Sequence, residues 1–251
     1  MRETDFIGGF AKGLRVIEAF GETNPRLTIT DVARETGLDR ATARRCLLTL
    51  AELGYATYDG KFFALTPKIL RLGHAYLSAT PLPGLVQPHL DRLSEAVGQS
   101  ASVSVLDGTE IVYVARAAQK RVMSISLTPG SRLPAYCASM GRVLLAALPD
   151  AEARAILEAS DLQANTPFTK TEPDALLAEL SRVRGQGYAL IDQELELGLR
   201  SIAVPLENAR GRIVAALNIG APAAHAEAEE MVARYLPAMR DVQAALRPVL
   251  S

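Results

Sequence analysis

The feature that most restricts the fold of this chain is a run of closely spaced helix signals that begins at residue 28. Thr28 with Asp31 three residues later has the pattern of a capping box, and Gly37 suits the left-handed residue that ends a helix. Asp39 can then cap a second helix. The predicted elements are two short helices joined by a tight turn, at Ile29–Thr36 and from Asp39 to about Leu53.

A β-hairpin is predicted directly after the second helix. Two short runs rich in aromatic residues, 55–58 and 61–65, flank Asp59-Gly60, and this dipeptide between such runs is a strong hairpin signal. A hairpin in this position is typical of a wing. Together with an amphipathic helix at 9–20, the segment therefore predicts a winged helix-turn-helix domain over residues 1–65.

The second helix of this motif has a basic exposed side. In a helix-turn-helix it enters the major groove, where arginine can bind guanine through two hydrogen bonds, while a wing reaches phosphate. The alternative is an ordinary helical hairpin with a solvated basic face. The residues predicted to contact double-stranded operator DNA are Thr28, Arg40, Ala41, Thr42, Arg44, Arg45 and, on the wing, Lys61.

Composition limits the remaining possibilities. The 251 residues carry a formal net charge of -1 and are 49% apolar, so a basic surface must be local in a globular chain. Cys46 and Cys137 suit a reducing compartment, and the three scattered histidines lack metal-ligand spacing, so no metal or cofactor is predicted. Neither a signal peptide nor a membrane-spanning run is visible, and we expect a cytoplasmic protein.

Residues 66–83 are predicted to form a linker. Thr66 and Pro67 open a helix that should end before Pro81, and its surface is unusually apolar. This spare apolar face favours contact with a second copy of the chain, although it could instead pack on its own domains.

The pattern from residue 84 to 251 predicts an α+β domain, because strands in antiparallel pairs with segregated helices are typical of that class. The predicted strands are 101–105, 111–115, 123–127, 188–192, 200–205 and 213–219, and the predicted helices are 85–97, 138–148, 150–159, 173–184 and 225–246.

Three stretches resemble the IclR family of regulators. They are 27–55 (LTITDVARETGLDRATARRCLLTLAELGY), 133–146, which contains SMGRVLLA, and 194–205, which contains GLRSIAVP and is followed by Asn218. They look closest to regulators of aromatic-acid breakdown through protocatechuate and β-ketoadipate. The resemblance implies a GAF-like effector-binding domain, a ligand-responsive transcription regulator that is not an enzyme, and a homodimer or homotetramer.

The start of the helix near Ser139 is a candidate anion site, because free N–H groups and the helix dipole favour negative charge there. Gly141 would let a ligand approach the backbone, and Arg142 can meet a carboxylate through two hydrogen bonds, with Arg132 and Arg200 as further cations. Alternatively, Ser139 merely caps the helix and Arg142 is a surface charge. The predicted effector-binding residues, some implied by the resemblance, are Tyr136, Ser139, Met140, Gly141, Arg142, Asp192, Leu199, Ser201 and Asn218.

The expected effector is a small carboxylate, either an aromatic acid such as protocatechuate or 4-hydroxybenzoate, or the pathway product β-ketoadipate. For Asp192, which would repel a carboxylate, the sequence leaves two roles: accepting a hydrogen bond from a ligand hydroxyl, or holding an arginine.

Two other functions of the protein remain open. One is an enzyme that uses Cys137, whose thiol lies beside a helix start. The other is a ligand-binding module that does not bind DNA.

Overall fold

The computed structural model describes residues 5–21, 23–119 and 127–250, and of Leu77 the backbone only. Contacts between residues divide the chain into a first unit, Met1–Ala79, and a second unit, Thr80–Ser251. The division falls inside the predicted linker and assigns its helix to the first unit.

The first unit contains the predicted helix-turn-helix and its wing. Thr28 and Asp31 form the capping box of the second helix, Gly37 ends that helix at φ 67°, and the Asp39 side chain accepts a hydrogen bond from the Thr42 N–H at 2.8 Å. The elements are α1 (Gly8–Glu18), α2 (Ile29–Thr36), α3 (Arg40–Glu52), β1 (Ala56–Tyr58), β2 (Phe63–Leu65), a 3-10 turn (Pro67–Ile69) and α4 (Leu70–Ala79).

The wing is an antiparallel pair in which Tyr58 lies opposite Phe63. The Asp59 carboxylate accepts hydrogen bonds from the N–H groups of Lys61 and Phe62, and these bonds fix the turn. Phe63 also bridges to Leu27, which ties the wing to the segment before α2. The core beneath consists of Val16, Leu27, Val32, Ala43, Leu47, Leu50, Ala56 and Phe63.

In its described residues, the second unit is an antiparallel sheet of six strands with helices on both faces. The strand order is β5-β4-β3-β8-β7-β6. Its elements are α5 (Leu82–Val97), β3 (Ser100–Asp107), β4 (Glu110–Ala117), β5 (Arg132–Pro134), a 3-10 turn (Ala135–Cys137), α6 (Ser139–Ala146), α7 (Asp150–Ala159), α8 (Pro173–Gln186), β6 (Ala189–Asp192), β7 (Leu199–Glu207), β8 (Ile213–Pro222), a second 3-10 turn (Ala223–His225) and α9 (Ala228–Leu246).

Each face of this sheet has its own apolar core. Helices α5 and α9 cover one face through residues such as Leu90 and Tyr235, and α6, α7 and α8 cover the other through residues such as Leu145 and Leu180. Side chains alternate between the faces along each strand, so that Val103 points to α5 and α9 while its neighbours Ser102 and Ser104 face α6. The predicted α+β class is confirmed.

The sequence was less informative at three places. The predicted strand 123–127 lies outside the described residues except for Leu127, which is buried and not in a strand. Strand β5 was not predicted, because a run of three residues that ends in Pro134 is too short to show the alternation of apolar and polar residues that indicates a strand. Helix α5 begins at Leu82 and not at residue 85 as predicted; Pro83 is compatible with this start because it lies in the first turn, where a missing N–H is tolerated. No helix in the described part of the chain is long and apolar enough to cross a membrane.

Candidate nucleic-acid interface and ligand cavity

The exposed side of α3 carries the basic residues that the sequence analysis selected. Arg40, Ala41, Arg44 and Arg45 are all exposed, as is Lys61 on the turn of the wing. Thr28 is half-buried, and its hydroxyl is bonded to the Asp31 carboxylate at 2.7 Å as part of the capping box. The motif therefore presents a compact set of cations without ion-pair partners among the described residues.

The structure corrects the prediction for Thr42. Its side chain is only 7% exposed and accepts a hydrogen bond from Arg45 Nη2 at 3.3 Å. Thr42 thus orients Arg45 and is not itself on the exposed face.

One cation near the wing was missed. Arg26 forms an ion pair with Asp59, and its guanidinium lies 5.1 Å from the centre of the Phe62 ring, the same distance at which Lys61 Nζ lies. No local pattern reveals this contact, because Arg26 lies between α1 and α2, and the neighbouring bridge between Leu27 and Phe63 is what brings it to the wing.

The second unit contains a small cavity between the α6 face of the sheet and the start of α6. We call it the sheet cavity; its lining residues are Ser100, Tyr113, Arg116, Leu127, Leu133, Ala138, Ser139, Met140, Leu195, Leu199, Ser201, Asn218 and Gly220. The space open to water within it is about 30 Å³. Five of the nine predicted effector-binding residues line it, namely Ser139, Met140, Leu199, Ser201 and Asn218.

Two polar atoms in the lining of the sheet cavity are buried without a partner. Within the described residues, neither Ser139 Oγ nor Asn218 Oδ1 has a hydrogen bond, and Ser139 is 1% exposed. Ser139 therefore does not cap α6, which begins at a cap without a side-chain bond. Buried polar groups are nearly always paired, so these two atoms indicate a site for a polar ligand group.

The cation of the sheet cavity is Arg116, which the sequence analysis did not select. Ser102 on β3 lies opposite Arg116 on β4 and opposite Asn218 on β8, so the three side chains form a polar row across the sheet. Burial lowers the pKa of Arg116, but a guanidinium remains charged at neutral pH. Among the described residues no carboxylate forms an ion pair with it. The signal in the sequence that could have identified Arg116 is its place inside the otherwise apolar run 111–117.

The three arginines that the sequence analysis considered are neutralised elsewhere. Arg132 pairs with Asp107 and Glu110 on the surface. Arg200 pairs with Asp192, Nε to Oδ1 at 2.7 Å. Asp192 therefore holds an arginine, which is the second of its two predicted roles. It does not line the sheet cavity.

The prediction that Arg142 contacts the ligand is wrong in this structure, and so is its alternative of a surface charge. Arg142 is 0% exposed, and its two terminal nitrogens donate to the Glu194 carboxylate at 2.8 and 2.5 Å. Its Nε donates to the Tyr136 carbonyl at 2.9 Å. Each of the three guanidinium nitrogens thus donates a hydrogen bond within the protein, and Arg142 does not line the sheet cavity.

Gly141 and Tyr136 also have roles other than those predicted. A Cβ on Gly141 would lie 2.2 Å from the Ala135 carbonyl oxygen, so the glycine lets α6 pack on the preceding 3-10 turn rather than admitting a ligand. The Tyr136 hydroxyl donates to the Gln163 carbonyl at 2.6 Å, away from the cavity. Both depend on tertiary neighbours that the local sequence does not reveal.

Cys137 is a poor nucleophile in this setting. Burial raises the pKa of its thiol to about 11, so the reactive thiolate is scarce at neutral pH. Its described polar neighbours include Asn165 Nδ2 at 3.4 Å, and no described histidine bonds to it. A hydrogen bond with Tyr136 and the charge of Arg142 lower this pKa, but burial outweighs both.

Comparison with known protein families gives two matches that together span most of the chain. Residues 10–60 match the IclR helix-turn-helix domain, and residues 74–247 match the C-terminal domain of the bacterial transcriptional regulator IclR.

Individual relatives agree with these matches. The Pca regulon regulatory protein of Pseudomonas putida is 48% identical over 94% of this chain and 81% of its own length. The p-hydroxybenzoate hydroxylase transcriptional activator of Acinetobacter baylyi is 38% identical over 98% of this chain and 93% of its own length. The crystal structure of an IclR homologue from Microbacterium hydrocarbonoxydans, in complex with 4-hydroxybenzoate, is 26% identical with a TM-score of 0.77 and covers 95% of this chain and 99% of its own.

Proposed function

This chain belongs to the IclR family of bacterial transcriptional regulators, and we propose that it binds operator DNA with the first unit and a hydroxylated aromatic acid in the sheet cavity. Members of this family are transcriptional regulators, which confirms the prediction of a regulator rather than an enzyme. The regulated genes that we propose are those of aromatic-acid breakdown, as the names of the two curated relatives suggest. A protein that acts on operator DNA works in the cytoplasm.

The observation that carries the ligand proposal is the distribution of polar groups in the sheet cavity. Arg116 offers a positive charge, while Ser139 Oγ and Asn218 Oδ1 lack hydrogen-bond partners in the part of the chain that the structure describes. Unpaired buried polar atoms cost stability, and a ligand that satisfies them recovers that free energy on binding. A carboxylate suits Arg116, and a ligand hydroxyl can donate to Asn218 Oδ1 and bond with Ser139.

The walls between these polar groups suit a ring. Leu127, Leu133, Met140, Leu195 and Leu199 supply apolar surface. Aromatic acids with a phenolic hydroxyl, such as 4-hydroxybenzoate and protocatechuate, combine all three features. β-Ketoadipate has two carboxylates and a ketone but no hydroxyl to donate to Asn218. The complex of the Microbacterium relative with 4-hydroxybenzoate supports the aromatic choice.

Binding of such an acid requires the cavity to widen. Its open space of about 30 Å³ is that of one or two water molecules, far below the volume of a benzene ring. The unbranched side chain of Met140 and the leucines around it are the groups that can rearrange. A ligand that binds the widened form more tightly shifts the second unit toward that form. Allosteric control requires such a difference in affinity between two forms of the protein.

We propose a homodimer as the DNA-binding form, because a helix-turn-helix dimer reads two half-sites. An apolar groove of about 550 Å³ in the first unit, bordered by Phe10, Leu14, Leu53 and Leu72, supports this assembly. Leu70 and Tyr76 add exposed apolar surface on α4. Light scattering distinguishes a dimer, a tetramer and a monomer, and a monomer would contradict the proposal.

The experiment that tests the ligand proposal is calorimetric titration of the purified protein with 4-hydroxybenzoate, protocatechuate, benzoate and β-ketoadipate. We expect the two hydroxylated acids to bind more tightly than benzoate, which has the carboxylate alone. Tighter binding of β-ketoadipate than of either hydroxylated acid would reject the aromatic assignment. Binding of none of the four at millimolar concentration would reject the whole ligand class.

A further inference from the structure

A deeply buried ion pair of the second unit joins two walls of the sheet cavity. Arg142 is 0% exposed and Glu194 is 5% exposed, and two parallel hydrogen bonds connect them. Arg142 follows Ser139 and Met140, which line the cavity from the start of α6. Glu194 precedes Leu195, which lines it from the segment between β6 and β7.

This connection and the first residue of β7, together called segment 193–199, have a backbone that depends on its surroundings. Gln193 adopts φ 58°, a left-handed conformation that residues with a β-carbon rarely adopt unless neighbouring contacts hold it. Inside the segment, the Gln193 N–H donates to the Leu199 carbonyl at 2.9 Å, and the Gly198 N–H donates to Gln193 Oε1 at 3.0 Å. Hydroxyls of Thr166 and Thr169 bond to its carbonyl groups from outside.

We propose that Arg142 and Glu194 are positioning residues for the ligand: their ion pair fixes segment 193–199 against the start of α6 and thereby sets the shape of the sheet cavity. This inference rests on the proposed function, because it concerns the same cavity. Arg142 does not touch the ligand. It acts through Glu194 on Leu195 and Leu199, and through the Tyr136 carbonyl on the turn before α6.

The geometry separates this role from general support of the fold. The planar guanidinium bonds to the carboxylate through two atoms, which fixes orientation as well as distance. The neighbouring buried carboxylate, Glu179, is 7% exposed, but its short contacts are with Lys170 and Arg182, and it lies 3.9 Å from Arg142 Nη1. Glu179 also lies on α8, outside the cavity lining. It is therefore a matched control for the loss of one buried negative charge.

The test compares Glu194→Gln with Glu179→Gln in the full chain. Amide hydrogen exchange of the ligand-free protein is measured at Gly198 and Leu199, whose N–H groups are bonded within the segment. The affinity for 4-hydroxybenzoate is then measured by calorimetry. For Glu194→Gln we expect exchange at both amides to rise at least ~10-fold and affinity to fall at least ~10-fold, since local opening becomes easier. For Glu179→Gln we expect the exchange rates of these amides and the affinity for 4-hydroxybenzoate to stay within about 3-fold of the parent values.

Equal effects of the two substitutions would mean that the pair only supports the fold, and an unchanged Glu194→Gln variant would also overturn the proposal. If Glu194→Gln does not fold, Arg142→Lys takes its place, because it keeps the charge and loses the two-point contact. Faster exchange at Gly198 and Leu199 is again expected, and unchanged exchange would reject the role. If the parent protein does not bind 4-hydroxybenzoate, the proposed function fails, while the exchange measurement still decides this inference.

Discussion

Arg116 Nη1 donates a hydrogen bond to Ser102 Oγ at 2.9 Å, between residues that lie opposite each other on β4 and β3. The serine holds the guanidinium on the α6 face of the sheet, where Arg116 lines the sheet cavity. An arginine donates through five N–H groups, so one bond to a neutral hydroxyl leaves most of them for a ligand. This arrangement makes Arg116 the centre of the first prediction.

Replacing Arg116 by Gln should weaken binding of 4-hydroxybenzoate by roughly 10- to 100-fold, because a hydrogen bond to a charged group contributes about 1.5–3 kcal/mol. Calorimetry measures the loss. Arg132→Gln is the matched control, since Arg132 is an exposed arginine on the adjacent strand that pairs with Asp107 and Glu110. If the control loses as much affinity as Arg116→Gln, the carboxylate is not bound at Arg116.

The second prediction concerns the hydroxyl of the ligand. Ser139→Ala should reduce the preference for 4-hydroxybenzoate over benzoate, because the variant loses a partner for the phenolic group. The stability of the ligand-free protein should stay level or rise, since the Ser139 hydroxyl is buried and no described residue bonds to it. Both are measured by paired titrations and by thermal unfolding.

Ser94→Ala provides the contrast for this prediction. The Ser94 hydroxyl is also buried, but it donates to the Gln99 carbonyl at 2.7 Å, so its removal should cost roughly 1 kcal/mol. It lies outside the cavity lining and should leave the ratio of the two affinities as it was. An unchanged ratio in Ser139→Ala would place the ligand hydroxyl elsewhere.

The third prediction concerns DNA. Arg44→Ala and Arg45→Ala should each weaken operator binding by about 1–3 kcal/mol if the side chain reads a base, while Lys61→Ala should mainly reduce the salt dependence, as expected for a phosphate contact. Gel-shift titrations at several salt concentrations separate these effects. Arg154→Ala, at an exposed arginine of the second unit paired with Asp174, is the control. Unchanged affinity in both α3 variants would remove α3 as the recognition helix.

How much of this arrangement the sequence could predict depends on the range of the interactions. The ends of α2 are set by Thr28, Asp31 and Gly37, all within one short segment, and the prediction matched the structure residue by residue. The row of Arg116, Ser102 and Asn218 depends instead on the register of three strands far apart in sequence. No local pattern encodes that register.

The same reasoning explains the errors at the start of α6. Nothing near Arg142 in sequence indicates that Glu194, fifty-two residues away, will bury it in an ion pair. Likewise, position 141 needs glycine because a β-carbon there would clash with the Ala135 carbonyl group. This clash depends on how the turn before α6 packs on the helix, and the sequence around residue 141 does not reveal that packing. Family resemblance selected residues around the sheet cavity, but it could not distinguish side chains that line the cavity from those that support it.

The fourth prediction concerns acid stability. Burial alone would raise the pKa of Glu179, but hydrogen bonds from Arg182 and Lys170 prevail and lower it to about 2. A carboxyl whose pKa is lower in the folded than in the unfolded state stabilises the fold above the unfolded value, and this contribution is lost as pH falls toward the folded value. For Glu179 the window runs from its ordinary 4.5 down to about 2.

Glu179→Gln should therefore be less stable than the parent at neutral pH, and the difference in melting temperature should shrink as pH falls from about 6 to about 3. Thermal unfolding at a series of pH values measures this. A difference that stays constant with pH would show that the charge of Glu179 contributes nothing and that the substitution acts through packing alone.

The last prediction concerns Tyr235 on α9, whose hydroxyl is buried without a partner among the described residues. The ring fills the core between α9 and the sheet, with 0% of the residue exposed. A buried hydroxyl without a hydrogen bond forfeits its bonds to water on folding, whereas phenylalanine keeps the ring and avoids that loss. Tyr235→Phe should accordingly leave the free energy of unfolding unchanged or raise it.

Tyr136→Phe is the opposite case, because the Tyr136 hydroxyl donates to the Gln163 carbonyl at 2.6 Å, and its removal should cost roughly 1 kcal/mol. Chemical denaturation measures both variants. A loss in Tyr235→Phe as large as that in Tyr136→Phe would mean that the Tyr235 hydroxyl has a partner in solution, such as a buried water molecule.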